Sequence, residues 1–107
     1  MVWTSLCSTD ELEEGKGKYV EISGFELAVF KSNGNFFVID NTCPHSGGNL
    51  SAGDVDEGCA VCPWHHWAFR LDTGELRGSP GVAVTHYESR VLEFEGKKLV
   101  QAKLPIY

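Results

Sequence analysis

Two short stretches of this 107-residue chain set sulfur and imidazole close together: Cys43-Pro44-His45 and Cys62-Pro63-Trp64-His65. A cysteine and a histidine one residue apart close poorly on a single tetrahedral zinc, whose chelating pairs usually leave about two to four residues between ligands. A pair of metals removes that difficulty. If each stretch sends its thiolate to one iron and its imidazole to the other, the two grip a 2Fe-2S unit from both sides, with two thiolates on one iron and two imidazoles on its neighbour. Neutral ligands in place of anionic ones make the centre less negative, so an added electron meets less repulsion. The potential then rises to roughly −150 to +300 mV, against about −400 mV for an all-cysteine plant-type cluster. Such a site moves one electron. Two other readings use the same residues: a structural zinc site, and cysteines and histidines that bind nothing and merely fill a core.

The elements that must position these stretches are strands. Met1–Cys7 mixes β-formers with small polar residues and reads as a first strand. Ser8 followed three residues on by Glu11 is a capping-box pattern and predicts one short helical turn, closed by Gly15. From Lys18 the period is two, with Val20 and Ile22 on one face and Tyr19 and Glu21 on the other. Gly24 interrupts, Glu26–Lys31 resumes, and Asn33-Gly34 suits a type I′ turn into Phe36–Asp40. That strand delivers Cys43. Pro44 stiffens the loop, and Gly47 and Gly48 are expected to let the backbone close on the metal and aim their N–H groups at it. Leu50 to Cys62 reads as a small hairpin turning at Asp56-Glu57-Gly58 and setting the separation of the two loops. Ala68–Leu71 leads away and Asp72-Thr73-Gly74-Glu75 turns. After Pro80 the alternation of Val82 and Val84, then Glu88–Glu95, a turn at Gly96 and Lys97–Lys103, returns the chain to the larger sheet. The predicted fold is all-β: one domain over residues 1–107, an antiparallel sandwich or barrel with a small cluster-binding subdomain, about residues 42 to 81, inserted into it.

The two stretches, with Trp67, Asp72-Thr73-Gly74-Glu75 and Pro80, resemble the Rieske iron-sulfur domains, and more loosely the whole chain does. The resemblance implies one 2Fe-2S cluster held by Cys43, His45, Cys62 and His65, and a Rieske-like sandwich. It also implies a proline-bearing loop at Gly78-Ser79-Pro80-Gly81 that covers the cluster. High-potential members have an extra cysteine in each ligand loop, joined as a disulfide; the matching positions here are Gly48 and Trp64. Their serine and tyrosine hydroxyls, which hydrogen-bond the cluster, are matched by Trp67 and Phe69. Without those donors the reduced state is less stabilised, and the expected potential is roughly −150 to −50 mV. His66 stands where relatives commonly carry glycine and is read as a bystander. Trp64 and Trp67 are read as shields on the flanks of the site, or Trp67 as packing, and His86 as a surface or turn histidine.

The charge and composition narrow the function classes. With 15 acidic against 9 basic side chains and a net charge of −6, the surface suits neither nucleic acid nor an anionic membrane, and favours a partner with a positive patch. No apolar run reaches the roughly 18 residues of a membrane span, and no leader pattern precedes the first strand, so the expectation is a soluble, cytoplasmic, monomeric protein. Cys7 and Cys59 are expected to be reduced and buried. In size and in lacking the disulfide the chain resembles the ferredoxin components of aromatic-ring dioxygenase systems, which implies a one-electron carrier, not catalytic by itself, that passes electrons from an NAD(P)H-linked reductase to a terminal oxygenase. The alternatives are the small subunit of an assimilatory NAD(P)H nitrite reductase, with its large subunit as partner, and a zinc-stabilised binding domain.

Overall fold

The computed structural model describes residues 1–44, 47–64 and 66–106, with the backbone only at Pro80. The strands are β1 (Val2–Ser8), β2 (Gly17–Ile22), β3 (Phe25–Ser32), β4 (Asn35–Asp40), β5 (Val55–Asp56), β6 (Cys59–Val61), β7 (Ala68–Arg70), β8 (Glu75–Leu76), β9 (Ser79–Ala83), β10 (His86–Tyr87), β11 (Ser89–Phe94) and β12 (Lys97–Leu104). Only 3₁₀ turns, Thr9–Glu11 and Leu50–Ala52, add helix among the described residues. The predicted capping box is present in both halves: the Ser8 hydroxyl accepts from the Asp10 N–H, and the Glu11 carboxylate accepts from the Ser8 N–H at 2.7 Å.

Among the described residues the named strands pair antiparallel, in three sheets ordered β1-β12-β11, β10-β4-β3-β2 and β5-β6-β7-β8-β9. The second sheet lies between the other two, and β3 shows why. Leu27 and Val29 point into one core with Cys7, Tyr87, Val100, Ala102 and Leu104, whereas Ala28 and Phe30 point into another with Cys43, Leu50, Ala60, Cys62 and Phe69. Successive strand residues face opposite sides, and a strand covered on both sides must be apolar at every position. This is why Leu27-Ala28-Val29-Phe30 is an unbroken hydrophobic run with no exposed atom. Val38 and Ile39 of β4 divide in the same way.

Four hairpins turn on one device. Ser23-Gly24, Asn33-Gly34, Glu57-Gly58 and Glu95-Gly96 all have φ between 47° and 83°, the left-handed pair of a type I′ turn whose twist matches that of the flanking strands. The expected turn at Asn33-Gly34 is thus one of four. Serine and glutamate are not residues that favour this region, so glycine at the second place and the register of the flanking strands impose it.

One expectation needs correction. The segment containing Pro80 is not a loop: Ser79–Ala83 is a strand paired to β8 across a register shift. Proline's missing N–H is tolerated at such an irregular edge. His86 is exposed, in keeping with the surface reading, and lies in β10 opposite Ile39.

Candidate metal centre

Cys43 follows β4 and Cys62 follows β6, and the two loops they open are built alike. In the first, the Cys43 N–H donates to the Gly48 carbonyl at 2.9 Å and the Gly47 N–H donates to the Cys43 carbonyl at 2.8 Å. In the second, the Cys62 N–H donates to the Trp67 carbonyl at 2.7 Å and the His66 N–H donates to the Cys62 carbonyl at 2.9 Å. A bridge between Thr42 and Asn49 closes the first loop, and the pair Val61 and Ala68 closes the second, seven residues apart in each case. The residue four after each cysteine is left-handed, with φ 75° at Gly47 and 59° at His66. Matching backbone hydrogen bonds among the described residues thus frame the two cysteines. The histidines differ in sequence place, two after the cysteine in His45 and three after it in His65. Both histidines lie outside the described residues.

Contacts between the loops are tight. A Cβ on Gly48 would sit 3.0 Å from the Cys62 Sγ and 3.3 Å from the Trp64 ring, so only glycine lets the first loop close on the second. Gly53 is as constrained, since a Cβ there would overlap the Val61 carbonyl oxygen. Cys43 and Cys62 are 1% and 0% exposed and share the core formed by β3, β4, β6 and β7. On the outer side, Arg77 reaches Asp56 at 3.2 Å and Glu57 at 3.9 Å, tying the β5–β6 hairpin to the turn after β8. The hydrogen bond to Asp56 raises the pKa of the Arg77 guanidinium.

The site residues expected from the sequence can now be placed. Gly48 closes on the second loop at the Cys62 sulfur, and the Gly47 N–H is taken by the Cys43 carbonyl and is not aimed at a metal. Trp64 is 61% exposed and lies over Gly48. Trp67 is half-buried against the core, and Phe69 is buried with no hydroxyl to offer. All four cysteines are reduced and buried. Burial pushes the Cys7 thiol up to about 11, with the Glu11 charge adding to it, and burial likewise raises Cys59. The cover expected from Pro80 concerns a side chain outside the described ones. Sequence reasoning missed Asn41, 2% exposed at the foot of the first loop, and Gly53. Asn41 stands between Asp40 and Thr42, so polarity alone gave no signal that singled it out.

The described part of the donor set fits an iron-sulfur cluster. Two soft sulfur donors sit on matching loops, share one apolar core and form no disulfide, and the loops approach through a glycine.

Comparison with known proteins gives the same answer. The family model for the Rieske [2Fe-2S] domain matches residues 2–95. The ferredoxin component of the p-cumate 2,3-dioxygenase system of Pseudomonas putida is 38% identical over 77 residues, covering 70% of this chain and 65% of that protein. Apoptosis-inducing factor 3 of Homo sapiens is 34% identical over 85 residues, covering 79% of this chain; the chain spans only 14% of that protein's length. Among solved structures, a chain described as the NADH-dependent nitrite reductase small subunit of Mycobacterium tuberculosis superposes with a TM-score of 0.84 at 30% identity, covering 98% of this chain and 97% of the other. In a complex of reduced oxygenase and oxidized ferredoxin of carbazole 1,9a-dioxygenase, the matching chain gives 0.76 at 31% identity, covering 96% and 97%. This chain belongs to the Rieske [2Fe-2S] domain family, and its cofactor is one 2Fe-2S cluster.

Proposed function

We propose that Cys43, His45, Cys62 and His65 hold the cluster and that the chain is a one-electron carrier delivering electrons from an NAD(P)H-linked reductase to a terminal oxygenase, without catalytic activity of its own. The observation that carries this is the pair of like loops, each presenting one buried cysteine, with Gly48 at the point where they meet. When bound, the cluster supplies a centre that takes up and releases a single electron. The chain's own part is to exclude water and hold the ligands still. The core around Phe30, Leu50 and Phe69 backs both cysteines, and Trp64 spans the two loops. On this reading residues 42–81 act as the cluster-binding subdomain of a single domain, and the reduced cysteines suit the cytoplasm. Among the described residues no helix is long and apolar enough to cross a membrane. The likeness to the p-cumate and carbazole dioxygenase ferredoxins supports the oxygenase partner.

A second reading, the small subunit of a nitrite reductase, draws on the nearly end-to-end match to the Mycobacterium tuberculosis chain. Electron paramagnetic resonance and voltammetry on the purified protein test both the cluster and its setting. A rhombic signal on reduction, with a midpoint at roughly −150 to −50 mV, is expected. A colourless, silent protein holding one zinc overturns the carrier role. Sedimentation then separates the two readings: a free carrier stays monomeric when mixed with a sirohaem-containing large subunit, and a small subunit co-sediments with it.

A further inference from the structure

The two ligand loops share a backbone frame but not a support. The second stands on a ladder, with Cys59, Ala60 and Val61 paired to Arg70, Phe69 and Ala68. Below the bridge from Thr42 to Asn49 the first loop has no such ladder, because the chain leaves Asn49 into the 3₁₀ turn Leu50–Ala52. One residue fills the place. The Asn41 carbonyl accepts from the Leu50 N–H at 2.7 Å, as a strand partner would, and its N–H donates to the Glu26 carbonyl of β3 at 3.0 Å. Its side chain then continues where the ladder stops: Oδ1 accepts from the Ser51 N–H at 3.0 Å and Nδ2 donates to the Asn49 Oδ1 at 3.0 Å. Both arms of the amide are used and the residue is 2% exposed, so water cannot readily substitute for them.

We propose that Asn41 is the positioning residue of the first ligand loop: its amide stands in for the missing strand pairing and fixes the loop that presents Cys43. The inference rests on the assignment of Cys43 as a cluster ligand. Loss of the amide should loosen one side of the site while the other stays on its ladder.

The test uses the full-length, cluster-loaded protein and follows bleaching of its visible absorbance by a ferrous-iron chelator. Asn41→Ala removes both side-chain hydrogen bonds and is expected to speed bleaching about tenfold. Asn41→Asp keeps the acceptor for Ser51, and the Asn49 amide can turn to donate to it, so its bleaching should stay within about threefold of the parent. Asn49→Ala, at an exposed position, removes only one of the two bonds and should give an intermediate rate, which keeps the test open should Asn41→Ala not fold. Val100→Ala in the other core serves as a control for general destabilisation, and should bleach at close to the parental rate at a comparable loss of urea midpoint. Bleaching of Val100→Ala as fast as Asn41→Ala, or of Asn41→Ala and Asn49→Ala no faster than the parent, overturns the proposal. A parent protein that carries neither iron nor sulfide overturns the ligand assignment instead, so the two failures are distinguishable.

Discussion

Gly47 and Gly48 are neighbours that fail differently when given a side chain. Gly47 has φ 75° with open space around its missing Cβ, so Gly47→Ala should cost about 1 kcal/mol in urea unfolding and leave iron and sulfide content unchanged. Gly48 meets the Cys62 sulfur, so Gly48→Ala should lower the iron and sulfide bound per chain; full occupancy in that variant would contradict the close approach of the loops. His66 holds the left-handed position that Gly47 holds in the first loop. His66→Gly should therefore stabilise the protein by about 0.5–1 kcal/mol. The midpoint potential should not move; if it does, His66 rather than His65 is a ligand. Cys7 carries a pH dependence. Its folded value of about 11 exceeds the ordinary 9.0, so between those limits the native state keeps a proton that the unfolded state releases. Stability from this source is present below pH 9 and lost as pH rises toward 11, on the order of 2 kcal/mol in all, and the decline should flatten in Cys7→Ala.

At the scale of elements, β3 decides what the ligand loops rest on. Its even-numbered residues Ala28 and Phe30 belong to the core that contains Cys43 and Cys62, and its odd-numbered Leu27 and Val29 to the other. Phe30→Ala should cost about 3–5 kcal/mol and Leu104→Ala about 2–5 kcal/mol. Only the first removes a wall of the site, so only Phe30→Ala should also accelerate iron release to a chelator. Equal release from both would mean that the two cores do not act independently. The larger strands, though not their order in the sheets, were largely legible beforehand, because alternation, β-forming residues and turn residues mark β1, β2, β4 and the β11–β12 hairpin. Less legible was that β3 is covered twice, since a four-residue apolar run fits a strand buried on both faces and a piece of buried helix alike. The strand at Ser79–Ala83 was hidden for another reason: two glycines and a proline signal a loop, and pairing with β8 through an irregular register overrides that local preference.

For the whole molecule, a net charge of −6 sets how it meets a partner. On the proposed carrier role, steering toward a positively charged patch of a redox partner should make the rate of electron exchange fall roughly tenfold between low and high salt, as read by stopped-flow mixing. A rate indifferent to salt would remove the charge from the recognition argument. The match to chains of about this size, in a dioxygenase complex and in a nitrite reductase subunit, shows that this fold serves different partners.

The sequence alone pointed to the chemistry: cysteine and histidine at C-x-H and C-x-x-H spacing favour a pair of metals over one, because ligand type and bite are properties of adjacent residues. It also settled the β class, since alternation is local. Only the tertiary structure revealed that both cysteines sit on the same hydrogen-bonded frame, that Gly48 is where the loops touch, and that Asn41 carries the side lacking a ladder. Those facts depend on pairs such as Asn41 with Ser51 and Gly48 with Cys62. Such contacts between separate segments leave no period in the chain, and exist only once the sheets have packed.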